Sequence, residues 1–431
     1  MPPPDPQLQR QFAVEVVGTL RERGFEAYWA GGCVRDQLLG RTPKDFDVAT
    51  SARPDEIRSV FGPRRTIAIG AAFGVITVLG PNAAGQIEVA TFRQDAEYSD
   101  GRRPDSVAFS TPEADAQRRD FTINGLFYDP LADRVIDFVE GGEDLKRRVV
   151  RAIGEPRARF AEDKLRLLRA VRFAATFDFT LDAATRQALE AMAPQVTVVS
   201  AERIAAEIRL MLVHESRAGA MALVSEVGLL AAVLPEMSMA GNAGVLTAIG
   251  RPAYEAWAAT LAVLERLAEC NFPTALSALL HAFVDPAGVE AICRRWKLSN
   301  RDTQRTRWLV ENKSTLAGAR HMAWPKLQRV LIAEGIDDLL HLHEVLAQTT
   351  GGDGDDVDYC RELLQLSSDE LNPPPLITGD DLIEHGVPRG KPYQRLLEAV
   401  RDAQLEKKIT SRDQALALVD QLRQTMRDQD E

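Results

Sequence analysis

Cysteine is scarce in this chain, with four residues among 431, and Cys33, Cys270, Cys293 and Cys360 are too scattered to suggest a zinc or redox centre. Reduced thiols that fill space are the expected reading. No apolar run approaches the roughly 18 residues that a membrane span needs. The opening Met1-Pro2-Pro3-Pro4-Asp5 lacks the basic start and apolar core of a signal peptide, so a cytoplasmic protein is expected. Positive charge is outnumbered, 52 Lys and Arg against 63 Asp and Glu, for a formal net charge of −11. That balance argues against a general nucleic-acid coat but leaves room for an RNA partner gripped through a local basic patch. Low-complexity sequence is also scarce, and the length gives a soft expectation of about three domains with ample material for a core.

What is present concentrates first at Ala30-Gly31-Gly32-Cys33-Val34-Arg35-Asp36, followed by Asp45-Phe46-Asp47. A strand is expected over 45–49. Successive strand residues face opposite ways, so Asp45 and Asp47 share one face while Phe46 and Val48 turn toward a core. Two converging carboxylates suit hard divalent cations, which prefer oxygen ligands and keep waters, and two such ions clamp the attacking and leaving oxygens of a phosphoryl displacement. Mg²⁺ is the expected metal. Gly31 and Gly32 lack a Cβ, so the backbone there can turn sharply and lie against a phosphate, and a helix over 34–39 would turn its N-terminal amides to the anion. Arg35 adds a planar, permanently charged donor. Acids at i and i+2 recur by chance, and a lone Gly-Gly is more often just a turn. Their combined order meets four demands of metal-dependent nucleotide transfer within about twenty residues.

The stretch Gly31-Gly32-Cys33-Val34-Arg35-Asp36-Gln37-Leu38-Leu39-Gly40, then Asp45-Phe46-Asp47-Val48-Ala49-Thr50, resembles the head of the class II tRNA nucleotidyltransferases and bacterial poly(A) polymerases. Arg118-Arg119-Asp120-Phe121-Thr122-Ile123-Asn124 is similar to that family's ribose-reading motif, and Asp129-Pro130 through Asp137 to its hinge. Glu162-Asp163-Lys164-Leu165-Arg166 resembles the base-reading motif, and Glu202-Arg203-Ile204-Ala205-Ala206-Glu207 the helix that buttresses it. The resemblance implies catalytic, metal-holding Asp45 and Asp47, with Glu88 a candidate third carboxylate. It also implies a nucleotide held by Gly31, Gly32, Arg35, Arg118, Arg119, Asp120, Asp163, Arg166, Arg169 and Arg172, the last two through its phosphates. The implied partners are CTP, ATP and tRNA.

The base-reading motif has its own physical logic. On one helix, Asp163 and Arg166 would stand on one face and present an acceptor beside a donor. Cytosine and adenine each offer an exocyclic amino donor next to an unprotonated ring nitrogen, which matches. Uracil and guanine reverse the polarity and leave both side chains unpaired, a loss of about 1–3 kcal/mol when buried. The plain alternative is a helix-surface ion pair worth a few tenths of a kcal/mol. Around the motif, residues 143–172 carry ten basic and five acidic side chains, a local excess that suits a cleft holding a triphosphate and an RNA end.

The expected fold is an α+β nucleotidyltransferase head, a small mixed sheet with helices over 1–140, followed by all-α segments. These are a neck over 141–215, a body over 216–348, a linker over 349–356 and a tail over 357–431 that resembles the family's tRNA-contacting region. Within the head, helix is expected over 7–23 and strands over 26–30, 74–79 and 86–92, with a polar, mobile loop over 94–112. In that loop Arg93, Asp95, Tyr98, Arg102 and Arg103 match the general character of a segment that helps CCA-adding relatives switch from C to A. Continuous helices are expected over 160–175 and 218–230. His281 and Asp285 lack the adjacent His-Asp pair of a metal phosphohydrolase, His341 and His343 read as surface or packing residues, and Trp296 either stacks on RNA or anchors a helix. The expected activity is CCA addition to the tRNA 3′ end. Its rivals are a poly(A) polymerase, a partial CC- or A-adding enzyme, and a non-catalytic RNA-binding relative. The segment Arg64-Arg65-Thr66-Ile67-Ala68-Ile69-Gly70 lacks the basic-aromatic pattern of the poly(A) polymerases.

Overall fold

The computed structural model describes residues 4–95, 107–237, 250, 252–352, 354–388, 390 and 392–430. The chain forms two compact units, Met1–Leu261 with Ala291–Leu298, and Ala262–Glu290 with Ser299–Glu431. No helix among the described residues is long and apolar enough to cross a membrane.

The first unit begins with helix α1, Pro6–Glu22, capped by Asp5, whose carboxylate accepts from the Gln7 and Leu8 amides. Its apolar stripe of Phe12, Ala13, Val16, Val17 and Leu20 is buried. The strands that follow are β1 (Ala27–Ala30), β2 (Asp47–Thr50), β3 (Thr66–Ile67), β4 (Val75–Leu79), β5 (Gln86–Thr91), β6 (Arg93–Asp95), β7 (Val107–Phe109), β8 (Phe127–Asp129) and β9 (Arg134–Ile136). Seven of them make one mixed sheet in the order β3-β4-β5-β2-β1-β8-β9. The β2–β5 pair is parallel and the other pairs are antiparallel. Trp29 fixes the sheet to α1: it is fully buried, its Nε1 donates to the Ala13 carbonyl at 3.2 Å, and Phe46 packs edge-on at 4.8 Å. A side chain of this size buried this way stabilises by about 2–3 kcal/mol.

Two local expectations are corrected in the head. The strand starts at Asp47, so Asp45 lies in the bend before it. The reason is the partner: β1 pairs Trp29 with Val48 and then leaves the sheet at Gly31 (φ +75°), so little remains for residues 45 and 46 to pair with. The loop expected over 94–112 is a two-stranded antiparallel pair at its base, β6 against β7, followed by helix α4. Tyr98, Arg102 and Arg103 lie outside the described residues.

The helices after α1 are α2 (Gly32–Leu38), α3 (Pro54–Phe61), α4 (Pro112–Gln117), α5 (Gly141–Arg147), α6 (Pro156–Glu162), α7 (Leu165–Phe177), α8 (Ala183–Met192), α9 (Ala201–Leu212), α10 (Arg217–Glu226), α11 (Leu229–Val233) and α12 (Ala253–Arg266). The helix expected over 218–230 is split, because Gly228 adopts φ +81° and turns the chain between α10 and α11. A short parallel pair, β10 (Val149–Val150) with β11 (Thr180–Leu181), interrupts the otherwise helical stretch after residue 141. Phe121 stacks edge-on against Phe173 of α7 at 5.7 Å, which registers that helix against the segment carrying Arg118 to Asn124.

The second unit is helical, from α13 (Phe272–Leu280) and the first turn of α14 (Pro286–Arg295), which belongs to the first unit from Ala291 on, through α15 (Asn300–Asn312), α16 (Trp324–Leu331), α17 (Ile336–Thr349), α18 (Asp355–Leu363) and α19 (Ser368–Leu371) to α20 (Gly379–Glu384), α21 (Pro392–Leu405) and α22 (Arg412–Asp430). Its last three helices share an apolar core around Leu382, Leu396, Val400, Ala415 and Val419. His281 is buried with Nδ1 2.7 Å from the Ala278 carbonyl, His343 sits 2.9 Å from the Lys313 carbonyl, and Asp285 accepts from the Gly288 amide. In the first unit, Trp296 is 2% exposed, which removes it as a stacking platform for a base.

Candidate active site

A cleft of about 590 Å³ opens in the first unit. It is lined by Gly31, Gly32, Arg35, Asp45, Asp47, Arg118, Arg119, Asp120, Asn124, Asp163, Leu165, Arg166, Arg169, Arg172, Phe173 and Arg203. Every nucleotide-binding residue expected from the sequence is among them, although those residues come from three separated segments. Seven arginines against four aspartates leave the lining positive within an acidic chain.

The glycine turn meets a steric demand. The Gly31 amide donates to the Leu126 carbonyl at 3.1 Å, and its φ of +75° with ψ of −126° belongs to glycine alone. A Cβ there would also stand 2.8 Å from Arg119 Nη1. Gly31→Ala is therefore expected to cost about 1–3 kcal/mol of stability from the backbone alone. It should lower incorporation as well, by displacing Arg119; a variant with unchanged melting temperature and activity would remove this account.

Asp47 opens to solvent in the cleft, but protein atoms crowd its carboxyl. Burial, Asp45 and Glu88 together push it up to about 7, and only Arg119 opposes them. Glu88 is its cross-strand partner on β5. Among the described residues, no three His, Cys, Asp or Glu side chains gather closely enough to hold a metal on their own. The donor set is thus two cleft carboxylates with Glu88 behind them. It fits a hard cation that fills its remaining positions with water and phosphate oxygens, and such a cation would relieve the charge that raises Asp47.

Arg118 and Arg119 both close on Asp115, at 2.6 and 2.9 Å. Burial works against the Asp115 carboxylate, yet the two guanidiniums hold it below the usual range. Asp120 is tied more tightly. Its Oδ2 takes Arg169 Nη2 at 2.6 Å, and its Oδ1 accepts from Asn124 Nδ2 at 3.0 Å and from the Phe121 amide at 2.8 Å. Burial would raise it, but Arg169 and Asn124 bring it down to about 2. A carboxylate held below its unfolded value stabilises the fold above pH 4, and that contribution is lost as pH falls from about 4 to about 2. Asp120→Asn is expected to give up about 2 kcal/mol at neutral pH, with the deficit closing across that window in urea midpoints. A constant deficit down to pH 2 would contradict it.

The expected single helix over 160–175 is two helices. Asp163 lies between them in extended conformation (φ −145°, ψ 105°), so it does not share a helix face with Arg166. The break has a local cause, since the Asp163 carboxylate accepts from the Leu165 amide at 3.0 Å and starts the second helix. The α9 helix then fixes it: Arg203 donates to both Asp163 oxygens, at 3.2 and 2.6 Å. Arg166 donates to Glu162 at 2.5 Å and to the Arg159 carbonyl at 2.8 Å. Arg172 pairs with Glu207 at 2.6 Å. Phe173 is the hub beneath these groups, with Arg172, Arg169 and Arg35 at 4.3, 5.1 and 5.2 Å from its ring. Arg203, Asn124 and Phe173 were not singled out from the sequence as nucleotide-site residues; Phe173, seven residues after Arg166 on α7, had a readable helical spacing.

Residues 27–151 match the family model described as poly A polymerase head domain, and residues 178–240 match the probable RNA and SrmB-binding site of polymerase A. The chain is 36% identical over 299 residues to the CCA-adding enzyme of Enterococcus faecalis, covering 69% of each. It is 35% identical over 345 residues to that of Geobacillus stearothermophilus, covering 79% of this chain and 78% of the relative. The chain belongs to the CCA-adding enzyme family. A 41% identical alignment with the family member of Geobacillus thermodenitrificans spans 56% of that relative. Among solved structures, the Bacillus stearothermophilus CCA-adding enzyme in complex with CTP aligns with a TM-score of 0.76 at 27% identity, over 97% of this chain and 99% of that one. The Thermotoga maritima enzyme complexed with tRNA shares the fold, at TM-score 0.63 and 20% identity over 95% of this chain and 94% of that one.

Proposed function

We infer that this chain adds C, C and A from CTP and ATP to the tRNA 3′ end, without a nucleic-acid template and with release of pyrophosphate. The observation that carries the reading is one cleft holding both the Asp45–Asp47 carboxylates and the Asp163–Arg166 pair, in a chain of this family. Asp45 and Asp47 would hold Mg²⁺, which supplies charge stabilisation for the attacking 3′-hydroxyl and the departing pyrophosphate. The rest is positioning and electrostatics by the protein. Gly31 and Gly32 let the backbone approach the triphosphate, Arg118, Arg119, Arg169 and Arg172 provide the positive field, and Asp120 reads the ribose.

Asp163 accepts the exocyclic amino proton of cytosine or adenine, and Arg166 donates to the ring nitrogen. The Arg203 fork supports this role, because a carboxylate has about four lone-pair positions and keeps room for one more donor. Residues 141–215 act as the neck that carries this reader, residues 216–348 form the helical body, and after a linker over 349–356 the tail over 357–431 contacts tRNA.

The family models name poly(A) polymerase, so the two activities need a direct test. Purified protein is incubated with tRNA transcripts ending before, within and after CCA, with single labelled nucleotides. Growth by three residues and then arrest is expected. A long A tail would identify the polymerase, and growth limited to CC or to A alone would identify a partial enzyme.

A further inference from the structure

Arg35 sits where the glycine turn, the Arg118–Asn124 segment and helix α7 meet. It is 8% exposed. Its Nε and Nη2 reach Asp36 at 2.9 and 2.7 Å, and its Nη1 donates to Asn124 Oδ1 at 2.6 Å. The guanidinium plane lies 4.4 Å from the Phe177 ring centre and 5.2 Å from that of Phe173. A guanidinium has five N–H donors in a fixed fork, and these contacts engage Nε, Nη1 and Nη2 within the protein.

We propose that Arg35 is a positioning residue for ribose recognition, locking the Asn124 amide so that its NH₂ end holds Asp120. The proposal rests on the reading of Asp120 as the ribose-contacting group. An asparagine amide has an acceptor end and a donor end. With Oδ1 held by Arg35, Nδ2 must face the other way, and it donates to Asp120 Oδ1 at 3.0 Å. Without Arg35 only the Asp120 carboxylate orients the amide, and the Asn124 oxygen loses the donor that holds it from the other side. An amide held at one end only turns more freely about its Cβ–Cγ bond, its grip on Asp120 loosens, and Arg169 is left as the firm side-chain partner of Asp120. Lysine cannot replace the fork, since a point charge on a flexible stem neither lies flat against the phenylalanine rings nor fixes the amide in plane.

This role separates selectivity from affinity. A residue gripping phosphate would move the KM of CTP and of 2′-deoxy-CTP together, whereas a residue acting through Asp120 moves the preference between them. The test uses the full chain with a tRNA lacking CCA, and measures kcat and KM for both nucleotides in Arg35→Met, Arg35→Lys, Asn124→Ala and Asp120→Asn. Arg35→Met and Asn124→Ala are each expected to lower the CTP over 2′-deoxy-CTP preference about tenfold. The KM for 2′-deoxy-CTP should stay near the wild-type value, and the double variant should be no worse than either single one. Arg35→Lys should not restore the preference. Parallel rises in both KM values with the ratio intact overturn the proposal. If Asp120→Asn keeps the preference, the ribose reading of Asp120 itself fails and takes the proposal with it. If Asp120→Asn loses the preference while Asn124→Ala keeps it, the relay alone is wrong. Asn124→Ala carries the test should neither Arg35 variant fold.

Discussion

Asp47→Ala is expected to lower the rate of nucleotide incorporation about a thousandfold or more, and Asp45→Ala to do nearly as much, since each removes an oxygen ligand of the divalent cation that the two are inferred to hold, and with it the positive charge that would stabilise the phosphoryl oxygens. The fold should survive. Asp47 is crowded by Asp45 and Glu88, so its removal relieves repulsion and leaves the melting temperature unchanged or higher. Single-turnover addition of labelled CMP to a tRNA lacking CCA measures the loss, and circular dichroism checks the fold. Activity within tenfold of wild type in either variant would sink the metal assignment. Glu88→Ala is expected to be milder, because Glu88 acts on Asp47 across the strand pair and does not line the cleft.

The second large effect concerns which base is accepted. Asp163→Ala is expected to reduce the preference for CTP and ATP over UTP by about ten- to a hundredfold, the range set by one or two buried hydrogen bonds left unpaired. Arg203→Ala should reproduce most of that loss, because the two bonds at 3.2 and 2.6 Å are what aim the Asp163 carboxylate. The double variant should add little to either single one, since the two side chains act as one unit. Competition between labelled CTP and UTP at fixed tRNA gives the ratio directly, with the KM for CTP moving less than the preference. An Arg203→Ala enzyme that still rejects UTP at the wild-type level would show that Asp163 is aimed by its own backbone position at the start of α7. That position is defined independently by the Leu165 amide bond, so the experiment separates the two supports.

The Arg203 fork also shows where reading along the chain reaches its end. The spacing from Glu162 to Arg166 predicts one helix with an acceptor and a donor on one face. The capping bond from the Leu165 amide breaks that helix, and a residue forty positions away completes the site. Arg35 shows the same end from another side. Its residue type and its place after a glycine pair suit a phosphate ligand, and to a place in the cleft lining the structure adds burial, a bond to Asn124 and two phenylalanine rings beside the guanidinium. Nothing in the order of residues announces that Phe173 and Phe177 will lie beside it.

Residue type and short spacing were enough for a glycine pair that turns where a side chain cannot, two aspartates two positions apart, alternation in β4 and β5, helical periodicity after residue 141, and motifs in an order specific enough to name a family. Only the tertiary structure decided which charges oppose which. The pairing of Asp163 with Arg203, the crowding of Asp47 by Glu88, the hold of Arg169 on Asp120 and the burial of Arg35 each join residues far apart in the chain. Electrostatic and packing energies depend on distance in space and on exclusion of water, and neither quantity is written in the spacing along the chain.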